Sequence, residues 1–237
     1  MFQNHTASDT QADGLTHSSI WCIVKDNQGT LWLGTYFGGV NYFNPEYEIY
    51  TRYSYSSNEK KGLSNPVVGR TIEDKDGNLW IGTEGGGLNY YNRRTREFKW
   101  YRPQEGRNSI SHNNVKALYY DADKEIIWIG THLGGLNKLD IRSGHFTHYR
   151  MEEGNPATLP SDIIRDIIPY KSLLIVATQN GVCLFNPANG QCQQLFKDSK
   201  EGKSIKMIAD VTFDSEGTLW IAPPERGYSA IVLILAS

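Results

Sequence analysis

One short phrase keeps returning along this chain. Gly29-Thr30-Leu31-Trp32-Leu33-Gly34-Thr35 recurs as Gly77-Asn78-Leu79-Trp80-Ile81-Gly82-Thr83 and as Ile126-Ile127-Trp128-Ile129-Gly130-Thr131. A degenerate copy, Leu174-Ile175-Val176-Ala177-Thr178, carries Ile in place of Trp, and the last is Gly217-Thr218-Leu219-Trp220-Ile221-Ala222. The anchors at 32, 80, 128, 175 and 220 lie 48, 48, 47 and 45 residues apart. A fixed period in this range means one supersecondary unit repeated, each copy burying a face against its neighbour.

Each copy has four extended segments. The first follows a Leu-Ser start, as in Leu63-Ser64 before Val67 to Glu73, and the second is the Leu-Trp-Ile-Gly-Thr strand. The third follows a glycine pair (Gly38-Gly39, Gly86-Gly87, Gly134-Gly135), and the fourth holds Phe and Tyr, as in Phe98 to Tyr101 and Phe146 to Tyr149. Turns beginning at Asp26, Asp74 and Asp214 and ending at Gly29, Gly77 and Gly217 join the first segment to the second. Asp caps its own backbone there and Gly takes the left-handed position. Connections this short make antiparallel meanders. Four-stranded repeats of this length stack radially, so the expected fold is all-β, a β-propeller of about five blades. Trp32, Trp80, Trp128 and Trp220, with Gly34, Gly82 and Gly130, read as scaffold residues packed between blades.

The whole of 1–237 reads as one domain, with repeats at about 14–62, 63–110, 111–159, 160–203 and 204–237. Residues 1–13 match an outer strand, either completing the last blade to close a five-bladed ring or left over from a preceding blade in a fragment of a larger propeller. Both arrangements stay open on the sequence. Closure would remove sheet edges that are otherwise an aggregation risk.

Charge narrows the partners. With 24 Lys and Arg against 26 Asp and Glu, the net charge is -2 and no basic face for nucleic acid is expected. The three cysteines, Cys22, Cys183 and Cys192, have no zinc-type spacing. Cys183 and Cys192 are placed to meet across a hairpin, with buried thiols the favoured outcome over a disulfide. No metal or cofactor is expected. Met1 to Gly14 lack the apolar stretch of an export signal, and the apolar run from Ala230 to Ala236 is too short to span a bilayer, so no direct membrane contact is expected.

The pattern Asp-x-x-Gly-x-Leu-Trp-Ile-Gly-Thr-x-x-Gly-Gly-Leu-Asn, fullest here from Asp74 to Asn89, resembles the two-component regulator propeller family. The resemblance runs through five copies, the last two weaker. It implies the extracytoplasmic, periplasmic sensor of a hybrid two-component regulator of the Bacteroidetes type, recognising polysaccharide fragments and acting as a homodimer. This sequence shows no kinase, receiver or DNA-binding segment, so a detached sensor piece without enzyme activity of its own is expected.

In a propeller, the loops from fourth to first strand and from second to third strand share one face. The repeat assigns Tyr36, Phe37, Glu84, His132 and Gln179 to the second set, and His17, Asn65, His112, Asn113 and Asp162 to the first. These positions vary from copy to copy on an otherwise constant scaffold. Flat aromatic faces with mixed donors and acceptors suit an oligosaccharide. Two alternatives come from other classes. A protein-interaction scaffold would use a broad rim including Trp100 and Tyr101. A five-bladed glycosidase would need paired carboxylates, for which Glu84, Asp162 and Glu225 are the candidates; no nucleophile–base signature and no catalytic residue is otherwise visible.

Overall fold

A computed structural model describes residues 15–44, 49–196, 208–222 and 229–231. The sheets follow the repeat. The first comprises β1 (Ile20–Lys25), β2 (Leu31–Thr35), β3 (Gly39–Asn44) and β4 (Ile49–Tyr53). The second is β5 (Val68–Glu73), β6 (Leu79–Thr83), β7 (Gly87–Asn92) and β8 (Glu97–Tyr101). The third is β9 (Val115–Asp121), β10 (Ile126–Thr131), β11 (Leu136–Asp140) and β12 (His145–Tyr149), and the fourth is β13 (Ile164–Tyr170), β14 (Leu173–Thr178), β15 (Gly181–Phe185) and β16 (Cys192–Gln194). The last shows β17 (Asp210–Phe213), β18 (Leu219–Ala222) and β19 (Ser229–Ile231). Every neighbouring pair is antiparallel, so each sheet is a simple meander, as expected of propeller blades.

The recurring residues each do a separable job. The Trp of one sheet is buried against the next: Trp32 with Leu79, Ile81 and Phe98, Trp80 with Ile127, Ile129 and Phe146, Trp128 with Leu174, Val176 and Phe185. The turn Asp holds the indole: Trp32 Nε1 donates to Asp26 at 2.8 Å, Trp80 to Asp74 at 3.1 Å and Trp220 to Asp214 at 2.8 Å. The same carboxylates accept the backbone N–H of Thr30, Asn78 and Thr218. The fourth copy lacks both partners, with Ile175 in the strand and Tyr170-Lys171-Ser172 in the turn. The Gly-Thr threonine clamps the next hairpin, as Thr35, Thr83, Thr131 and Thr178 donate to the carbonyls of Gly39, Gly87, Gly135 and Gly181.

The Asn after the glycine pair pins the third strand to the incoming loop. Asn41 accepts from the Thr16 N–H and donates to its hydroxyl; Asn89 does so with Ser64 and Asn137 with Ser111. In the fourth sheet both halves of the pin are replaced together, by Cys183 and Pro160. Proline has no N–H to offer, so an amide there would lose its donor. Cys183 instead faces Cys192 as a free, buried thiol pair with sulfurs 3.2 Å apart. An Asn137→Ala chain loses one buried double hydrogen bond, an expected cost of about 1–3 kcal/mol in denaturant unfolding.

The first strands pack in sequence, β1 on β5, β5 on β9, β9 on β13 and β13 on β17, and line a common axis. Among the described residues no packing of that extent joins β17 back to β1, so the arc of sheets is not closed. The first sheet shows an open face. Ile23 is 61% exposed, whereas its repeat equivalents Thr71, Leu118, Ile167 and Val211 are all buried. Residues 1–13, expected as an outer strand, lie outside the described residues, as do Pro224, Glu225 and most of the apolar tail.

Candidate functional site

The two loop sets do share one face. The second-to-third loop of each of the first four sheets bonds to its own entry loop, through Tyr36 N to Ser19 O, Glu84 N to Val67 O, His132 N to Asn114 O and Gln179 N to Ile163 O. It also bonds to the entry loop of the following sheet, through Gly39 N to Pro66 O, Gly87 N to Asn113 O and Gly135 N to Asp162 O. The predicted positions are therefore stitched into one end of the axis.

They divide by role. His17, Asn65 and His112 occupy the same repeat position, with Ser161 as the fourth copy. Each accepts the backbone N–H two residues on: Ser19, Val67, Asn114 and Ile163. These side chains build the entry turn, so one polar atom of each is committed to the scaffold. Asp162 is likewise occupied, accepting from the Met151 N–H at 2.7 Å and lying 3.4 Å from Arg150. Asn113 is exposed and Gln179 half-buried, and among the described residues neither side chain bonds to the others of the mouth.

Tyr36, Phe37, Glu84 and His132 do come together, and residues not expected from the sequence join them. Each of the first four first strands carries a bulge at its start, between Ile20 and Cys22, Val68 and Thr71, Val115 and Ala117, and Ile164 and Asp166. The bulged residues are Trp21, Gly69 with Arg70, Lys116 and Arg165. A bulge re-aims a side chain that would otherwise lie in the sheet's alternation. Trp21 stacks on Tyr36 at 5.2 Å between centroids with an 11° interplanar angle, and Phe37 meets Tyr36 edge-on at 4.3 Å. Lys116 lies 5.6 Å from the centre of the Trp21 ring and pairs with Glu84. The third sheet thus reaches the first above the second, whose bulge is opened by glycine at position 69. Trp21 and Phe37 remain 49% and 59% exposed, an aromatic patch beside charged groups.

His132 completes this mouth. Its Nδ1 is buried without a hydrogen-bond partner. Burial, then the charges of Arg165, Lys116 and His112, push its imidazole below the ordinary value, so it is neutral at pH 7. His112 is lowered too, by burial and then by Arg150.

One step deeper along the axis, Cys22, Arg70, Ala117, Asp166 and Asp210 share the next repeat position. Arg70 reaches across from the second sheet to Asp166 at 3.3 Å and Asp210 at 2.9 Å. Burial, with Asp210 beside it, pushes the Asp166 carboxyl up to about 7 despite Arg70. Burial also opposes charge on Asp210, but its bond to Asp166 and Arg70 hold it below the ordinary range. A carboxyl raised on folding stabilises when protonated, so the Asp166 contribution is full below about pH 4 and is lost as pH rises through about 7. Raising the pH from 5 to 8 is expected to remove about 2–3 kcal/mol of Asp166's contribution, read as the difference between the parent and an Asp166→Asn chain, because the lowered His112 and His132 shift stability the other way over the same range. Parent and Asp166→Asn chains with the same pH slope would refute the assignment.

Comparison with known proteins agrees with this architecture. The family model described as two component regulator propeller matches residues 14–37, 62–85 and 109–132, the entry loop and first two strands of three sheets. Among solved structures, the extracellular domain of the hybrid two component system protein BT3049 of B. thetaiotaomicron is 23% identical with a TM-score of 0.75, covering 92% of this chain and 29% of that one. The extracellular domain of BT4673 from the same organism is 22% identical with a TM-score of 0.71, covering 91% and 31%. PorZ of Porphyromonas gingivalis, a surface component of the type-IX secretion system, is 19% identical with a TM-score of 0.71, covering 95% and 34%. This chain therefore spans about a third of the length of these relatives. No curated protein matches it.

Proposed function

Because the chain carries repeats of the two component regulator propeller family, we propose that it is the recognition part of an extracytoplasmic sensor and that an oligosaccharide enters the axial mouth. The observation that carries this reading is the aromatic cluster of Trp21, Tyr36 and Phe37, exposed beside Lys116, Glu84 and His132. A sugar ring offers one apolar face and a rim of hydroxyls, and such a mouth supplies both complements.

Recognition without catalysis is supported by the carboxylates. Glu84 is paired with Lys116 and Asp162 with Arg150, so neither of these two candidates faces the mouth as an unpartnered carboxyl; Glu225, the third, lies outside the described residues. The rim residue Trp100 is committed as well, donating to the Gly62 carbonyl at 2.9 Å with Arg102 4.5 Å over its ring. That leaves less on the rim to favour a protein scaffold.

Calorimetric titration of the chain with an oligosaccharide panel tests the reading. A sugar that binds should lose at least tenfold in affinity to Trp21→Ala and to a Tyr36→Ala/His132→Ala chain, a cost of about 1.4 kcal/mol or more. Undiminished binding in both would remove the mouth as the site.

A further inference from the structure

The mouth carries one charge too many for a neutral sugar. Three arginines are half-buried among the described residues: Arg70, Arg93 and Arg165. Arg70 is met by Asp166 and Asp210, and Arg93 by Asp26 at 2.8 Å. Arg165 has neither an ion-pair nor a hydrogen-bond partner among the described residues, although it stands near enough to His132 to lower that imidazole's proton affinity. Withdrawing a guanidinium part-way from water without a counter-charge is costly, and such positions are normally paired.

Three details show where the missing partner would sit. Arg165 is a bulged residue of the fourth first strand, in the same repeat position as Lys116 and Trp21, so it is presented to the mouth. The two other copies of this position are Gly69 and Ala209, which leave the space between the long side chains open. Lys116 is already balanced by Glu84, so the local surplus of one positive charge is Arg165's own, on a chain whose net charge is -2. Beside it stands the half-buried His132 ring, whose Nδ1 is buried without a hydrogen-bond partner.

We propose that the sugar recognised at this mouth is anionic, with a carboxylate or sulfate group bound by Arg165 while a ring of the same oligosaccharide rests on the Trp21–Tyr36–Phe37 cluster. The inference rests on the reading of the mouth as a sugar site. A guanidinium offers parallel donors that match either oxyanion, and the neutral His132 bonds to an adjacent hydroxyl.

The test is titration of the full chain with three probes of equal length: an oligogalacturonate, a chondroitin sulfate oligosaccharide and a neutral galactan oligosaccharide. At least one anionic probe should bind at least tenfold more tightly than the neutral one, with an affinity that falls as salt is raised. Arg165→Gln should reduce that binding at least tenfold while leaving the melting temperature in place, and Arg165→Lys should restore part of it. Carboxylate and sulfate are told apart by which probe shows the Arg165 dependence. If the neutral probe binds as well as the others and Arg165→Gln changes nothing, the anion inference falls and the sugar site stands. If the anionic probes bind but Arg165→Gln is without effect, the anion lies elsewhere and the assignment to Arg165 is overturned. If no probe binds at all, the reading of the mouth as a sugar site fails with it.

Discussion

Asp26→Ala should unfold at much lower denaturant than the parent chain, with a loss of about 3–5 kcal/mol. Asp26 is the most committed of the turn acids. Its carboxylate is buried, accepts the Trp32 indole at 2.8 Å and the N–H groups of Gln28 and Thr30 at 2.9 Å, and pairs with Arg93 of the next sheet. Burial works against its charge, yet the indole, the two amides and Arg93 together hold it below the ordinary carboxylate range. Removing it orphans an indole N–H in a core and uncovers Arg93, for which Glu73 at 3.6 Å is a poorer partner. Asp214→Ala removes the same indole bond from Trp220, which is only half-buried, and among the described residues no arginine pairs with Asp214, so its loss should be clearly smaller. Equal losses in the two chains would show that the inter-sheet Arg93 contact contributes nothing.

The second large effect is expected at Gly82. A Cβ there would meet Val115 Cγ1 at 2.7 Å and the Val115 carbonyl at 3.3 Å, because β6 of one sheet runs directly against β9 of the next. Gly82→Ala should therefore cost about 1–3 kcal/mol by forcing two sheets apart. Shortening the opposing residue relieves most of the clash, so Gly82→Ala/Val115→Ala should be more stable than the sum of its single changes predicts. Strict additivity would mean that the sheets are not in contact at this point. Gly87 differs in kind: at a φ of +80° with a carbonyl 2.2 Å from the virtual Cβ, it is held by its backbone conformation as well as by space.

The architecture was legible because the repeat writes its own geometry. Trp at 32, 80 and 128 with a turn Asp six residues earlier in the first two copies marks strand, turn and core at once, and the glycine pair marks the next hairpin. The weak fourth copy still folds as a four-stranded sheet because its partners change in concert: Trp and Asp are lost together, and so are the Asn and hydroxyl of the loop pin. Closure was not legible, since it depends on residues 1–13 and on how far the axis curves, neither of which a repeat pattern specifies.

The mouth was half legible. Copy-to-copy variation pointed to Tyr36, Phe37, Glu84 and His132, but variation also marked His17, Asn65 and His112, whose variety is only that several side chains can accept a bond from the amide two residues on. Trp21, Lys116 and Arg165 were missed because strand alternation counts them as ordinary first-strand positions. Only the bulge takes them out of the sheet. Aligned on the Trp anchors alone, the column of Trp21 reads Gly69, Ala117, Ile164 and Ala209, because the turn before the anchor is one residue longer in the third copy and one shorter in the fourth; only the strand pairing brings Lys116 and Arg165 into it.

The most direct test of the account is hydrogen–deuterium exchange of the chain with and without a bound oligosaccharide. The account predicts protection confined to the axial mouth, in segments around Trp21, Tyr36, Lys116, His132 and Arg165, with β8, β12 and the rim around Trp100 unchanged. Protection at the rim with the mouth unaffected would contradict it and would move recognition to the outer strands.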